Sequence, residues 1–158
     1  MTTTSHPWKQ LLLRQAESLH DLGQPHRWSE ASAVKTEETV VMGFYAIQRL
    51  VNSFLLSEGL VHQSIPMQAF PARRKTDLLL GEGSIEQLYD LTAGRPLSHD
   101  LIFLCHQVLH NCVFAVFFAP DRTLQGVYLT SDHQRKVALY GIELRAIRAL
   151  FQRIGEEQ

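Results

Sequence analysis

The chain has 158 residues, with 15 Lys and Arg against 16 Asp and Glu, so its formal net charge is −1. That length holds one domain with a real core and is short for two. The near-balance of charge excludes a global field that would draw the whole molecule to nucleic acid or an anionic membrane. A hydrophobic content of 45% with 20% charged residues is that of an ordinary globular protein.

The N-terminal Met1 to Trp8 lacks the charged and apolar regions of a signal peptide, which predicts a cytoplasmic protein. Ser5 and Pro7 open a first helix. Leu11, Leu12, Leu19 and Leu22 make its apolar face, and Gly23 with Pro25 ends it. A second helix is expected from Thr36 to Ser57, with Val40, Val41, Phe44, Ile47, Val51, Phe54 and Leu55 as a wide apolar stripe. Its polar residues are confined to a strip of Tyr45, Arg49 and Asn52. Leu60 to Glu82, with Pro66 and Pro71, reads as irregular, with one extended segment in Val61 to Phe70. Pro71 to Thr76 is a basic loop carrying Arg73, Arg74 and Lys75, and Ser84 caps a short helix ending before Gly94 and Pro96.

Ser98 to Phe118 is the densest apolar stretch. It reads as a helix capped by Ser98, running into a strand over Val113 to Phe118 that is buried on both faces. His99, His106 and His110 fall within one arc of that helix. Cys105 and Cys112, two turns apart, would be about 10 Å from each other, too far for a disulfide. Polar His106, Gln107, His110 and Asn111 at the centre of Leu101 to Ala119 argue against a membrane span. Turns at Ala119 to Gln125 and Asp132 to Lys136 separate strands at Gly126 to Ser131 and Val137 to Tyr140. A last helix, Ile142 to Ile154, buries Leu144, Ile147, Phe151 and Ile154 and shows Arg145 and Arg148 on another side. The expected fold is α+β: a mainly helical chain with a C-terminal three-stranded antiparallel meander closed by a last helix.

No phosphate loop, dinucleotide fingerprint, Cys-x-x-Cys pair or His-Glu-x-x-His motif occurs. His106 and His110 stand four apart, a spacing that lets two imidazoles hold one metal such as zinc, with His62, His133 or a carboxylate as the third ligand. A metal-free site would combine them with Arg49: the guanidinium holds a phosphate and an imidazole acts as acid or base. Arg73, Arg74, Lys75, Arg145 and Arg148 are the residues that could touch nucleic-acid phosphates. Against all of these stands a plainer expectation, that the polar helix residues serve packing.

Arg14-Gln-Ala-Glu-Ser-Leu-His20 resembles the Arg and His motif of HEPN-class helical proteins. That resemblance implies a metal-independent ribonuclease, of the kind found in toxin or defence systems. The second half, through His110, Ser131-Asp132, Arg135 and Leu139-Tyr140, is similar to a group of small bacterial proteins that carries no activity over. The leading expectation is a small interaction or assembly module needing no cofactor, with a protein partner or a second copy of itself and no membrane. The alternatives are the ribonuclease and a metal-binding protein.

Overall fold

The structure is a computed structural model and describes residues 5–73 and 84–157. Its elements, in chain order, are α1 (Ser5–Leu22), α2 (Glu30–Asn52), α3 (Glu58–Val61), β1 (Ile65–Pro71), α4 (Ile85–Leu88), β2 (Arg95–His99), α5 (Leu101–Leu109), β3 (Asn111–Phe118), β4 (Leu124–Ser131), β5 (Ala138–Glu143) and α6 (Leu144–Gly155).

α1 buries Leu12, Ala16 and Leu19 at helical spacing. α2 begins earlier than its apolar stripe. The Ser29 hydroxyl accepts from the Ser32 N–H, and Ser32 Oγ accepts from the Ser29 N–H. A reciprocal box of this kind satisfies two backbone donors and starts the helix ahead of Thr36. α2 also stops before Ser57. Leu55 N–H donates to Leu50 O (2.9 Å) and Phe54 N–H to Val51 O (3.1 Å), a closure that sets Phe54 at φ 56. Glycine favours that left-handed position because it lacks a Cβ. Phe54 is therefore outside the apolar stripe assigned to it and is 93% exposed.

The fold is α+β, but among the described residues its sheet has five strands, all antiparallel, in the order β2-β1-β5-β4-β3. The three C-terminal strands do lie side by side. The expected three-stranded meander is nevertheless incomplete, because β1 inserts beside β5 and β2 beside β1. The extended segment expected within Val61 to Phe70 is β1, whereas β2 has no counterpart among the elements expected from the sequence. Pro66 precedes the point at which β1 meets β5, at Gln68, and Pro96 lies on the outer strand, so neither interrupts a central ladder. Ile65, Met67 and Ala69 alternate inward with period two.

Alternate residues of the sheet, among them Met67, Ala69, Val127, Leu129, Tyr140 and Ile142, share one core with Leu12, Leu19, Phe44, Ile47, Leu104, Val108 and Phe151 of the helices. Helix contact is close enough that a Cβ on Gly43 would fall 2.1 Å from the Phe151 ring. On the opposite face of the sheet, the rings of Phe70, Tyr128 and Phe117 meet at centroid distances of 5.6 Å and 4.6 Å. Among the described residues, no helix is long and apolar enough to cross a membrane.

Candidate functional site

The histidine stripe does not exist as one helical arc. His99 ends β2, and its ring stacks on Phe103 at 3.6 Å. The cap of α5 is Asp100 rather than Ser98: its carboxylate accepts from the Phe103 N–H at 2.8 Å. Asp serves this role through a short acceptor side chain and favourable charge at a helix start. The helix is nine residues long, so Cys112 lies on β3 and the two cysteines do not share a helix face.

His106 and His110 do come together at the C-terminal end of α5, with ring centroids 4.8 Å apart. The turn between β4 and β5 adds His133, 5.7 Å from His106. All three are exposed. They sit beside a small pocket of about 170 Å³ formed by Gln48, Val51, Asn52, Ile102, Cys105, His106 and His110. On the other side of α5, buried Gln107 accepts the Ser131 N–H at 3.0 Å, which pins this helix to the end of β4. Among the described residues, no three His, Cys, Asp or Glu side chains are placed to hold one metal ion. His62 ends α3 and is not part of this cluster.

Neither cysteine is a ready nucleophile, because the thiolate is the reactive form. Burial pushes the Cys105 thiol up to about 12. Cys112 is also raised, first by burial and then by a hydrogen bond with Asp132.

Arg49 is not buried. It lies on the exposed side of α2, with its guanidinium carbon 5.8 Å from the centre of the Trp8 ring, and it does not line the histidine pocket. The Trp8 indole meets Tyr45 edge-on in the same surface group. Among the described residues the basic positions form no single patch, although Arg145 and Arg148 border one cavity. Arg73 pairs with Asp90 at 3.7 Å and donates to Glu86 O, while Arg145 pairs with Glu143. Arg148 contacts His20. Arg74 and Lys75 lie outside the described residues.

A different feature stands out at the sheet margin. Among the described residues, β3 is an end strand whose only strand partner is β4. Its residues, Asn111, Cys112, Val113, Phe114, Ala115, Val116, Phe117 and Phe118, include no charge and no proline. The strand was expected to be buried on both faces. Instead seven of its residues are half-buried and Phe118 is exposed. Register shifts fall near its two ends, leaving Val113 to Phe117 in regular pairing. Beside it runs a groove of about 400 Å³ bounded by Ala33, Val34 and Glu37 of α2 and by Phe114, Ala115 and Val116. Val34 is 61% exposed there.

The chain matches no protein-family model, no curated protein and no solved structure.

Proposed function

We propose that the protein is an assembly module whose partner is a second copy of itself, joined edge to edge through β3. The observation that carries this reading is the uncharged, half-exposed end strand. An end strand presents an unpaired row of N–H and C=O groups, and proteins normally blunt such a row with charge, proline, short length, bulges or a covering element. β3 has neither charge nor proline over eight residues, and its register shifts lie only near its two ends. Pairing two identical strands antiparallel about an axis near Ala115 sets no like charges opposite one another. Each copy would extend the other's sheet and bring Val34 and Phe114 toward the junction. The molecular net charge of −1 adds little repulsion between copies.

Light scattering across a concentration series tests this reading. The expected outcome is a dimer that dissociates on dilution, and a monomer for Ala115→Lys with an unchanged circular dichroism spectrum. The proposal fails if the wild type stays monomeric up to about 100 µM, since the contact would then be weaker than a specific pairing requires. It fails equally if Ala115→Lys dimerises as wild type does.

A further inference from the structure

A further cavity lies between the first turn of α6 and the turn that joins β3 to β4, away from the histidine corner. Its volume is about 390 Å³, and its lining includes His20, Gln24, Gln125, Glu143, Arg145 and Arg148. We infer that it binds the phosphate group of a small phosphorylated ligand. This assignment does not depend on dimerisation.

Arg148 carries the argument. It is half-buried, and its Nη1 lies 2.7 Å from His20 Nδ1. A guanidinium only donates, so Nδ1 must be the acceptor and the proton of the neutral ring must sit on Nε2. A neutral imidazole does not cancel the arginine's charge. Among the described residues, Arg148 has no carboxylate partner. Glu143, the one acidic residue in the lining, is held by Arg145 at 2.5 Å. Two arginines against one glutamate leave the lining one positive charge. The Arg145 side chain is 82% exposed, so Arg148 is the better-shielded cation.

The other donors suit a tetrahedral anion. Among the described residues the Nε2–H of His20 has no partner, and a planar guanidinium can present two N–H groups to phosphate oxygens. Glu143 stands at the cap position of α6 but makes no side-chain capping bond, so the first-turn N–H groups add positive character to that end of the cavity. The volume lies in the range of small-ligand sites and exceeds what a bare phosphate fills. The remainder is lined by Gln24, Thr123 and Gln125 together with Leu19, Leu124 and Leu144, a mixed polar and apolar wall. The ligand class is therefore a phosphate monoester whose body has both polar and apolar faces, such as a nucleoside monophosphate.

The test is an NMR titration of the full chain, following the Arg148 side-chain N–H and the His20 ring nitrogens. The arms are inorganic phosphate, a nucleoside 5′-monophosphate, acetate and a short single-stranded RNA. Saturable shifts with phosphate, tighter with the monophosphate, are expected. Arg148→Ala should weaken both by about tenfold or more, as loss of a charged hydrogen-bonding partner does. Arg148→Lys keeps the charge but not the fork, and should fall between the two. It also serves as the test variant if the alanine protein does not fold. Shifts that never saturate, equal affinity for acetate, or equal phosphate affinity in wild type and the folded Arg148 variant overturn the assignment. RNA binding that neither phosphate nor the monophosphate competes away overturns it too.

Discussion

Among the described residues, β2 and β3 each leave one row of backbone groups without a strand partner. β2 is five residues long, starts with Arg95 and Pro96, and is mostly exposed and polar. β3 is eight residues long, apolar and uncharged, and shares a groove with α2. A charge and a proline make the first edge a poor template for another strand, whereas the second edge has neither. One sheet thus carries a protected margin and an available one, and the difference lies in side chains rather than in backbone geometry.

The sharpest way to break the available margin is through the strand behind it. A Cβ at Gly126 would meet the Phe117 ring at 2.3 Å and the Ile142 carbonyl oxygen at 2.4 Å. Backbone cannot yield as a side chain can, so Gly126→Ala should cost about 3 kcal/mol in a denaturant titration. At Gly94, near β2, the three atoms nearest to a Cβ all belong to the Phe70 ring, the first at 2.6 Å. That ring can swing aside, and Gly94→Ala should cost about 1 kcal/mol. Equal costs at the two glycines would show that the margins are equally rigid.

Next in size is Gln107→Leu. It strips the Ser131 N–H of its buried acceptor beside the start of β3. An orphaned buried donor costs about 2 kcal/mol, measurable by the same titration. Hydrogen exchange should then quicken at the Asn111 end of β3 and leave β2 unchanged.

The protected side has its own tie. The Tyr89 hydroxyl, just before β2, donates to Arg135 O at 2.7 Å. Tyr89→Phe should cost about 1 kcal/mol. Burial, followed by a smaller effect of Cys112, pushes this phenol from 10.0 up to about 12. The folded state therefore favours the neutral phenol. Its contribution is complete below pH 10 and disappears as pH rises from 10 toward 12. Tyr89→Phe should flatten stability across that window.

The smallest expected effect is a gain. Phe54 holds a left-handed conformation while almost wholly exposed. Phe54→Gly should raise stability by about 1 kcal/mol by relieving that strain. If stability falls instead, the ring has a folded-state contact that its exposure does not reveal.

Much of the helical framework was legible in the sequence, because Leu12, Ala16 and Leu19, or Leu144, Ile147 and Phe151, are local signals with a helical period. β3 was legible as a strand from its unbroken apolar run. Its place at the margin was not, since that depends on which distant strands pair. β1 was legible only as an extended segment within Val61 to Phe70, and β2 was hidden beside Pro96, a proline whose harmlessness shows only once the pairing partners are known. The approach of His133 to His106 follows from a turn that could be read, while the contact of His20 with Arg148 joins residues on two separate helices. Arg49 stands alone as a charge in the middle of a helix that is apolar around most of its girth, and the sequence did not show where it points. Its length and the neighbouring Trp8 ring let it reach the surface.

The insertion of β1 between β2 and β5 has a consequence for synthesis. Residues emerge from the ribosome in chain order, so β1 and β2 can form their hairpin early, but the inner edge of β1 has to wait for Ala138–Glu143. Until then Gln68 to Pro71 present a second bare margin, one that the finished molecule conceals completely. Nascent chains stalled before β5 should therefore associate with one another, and those released after α6 should not.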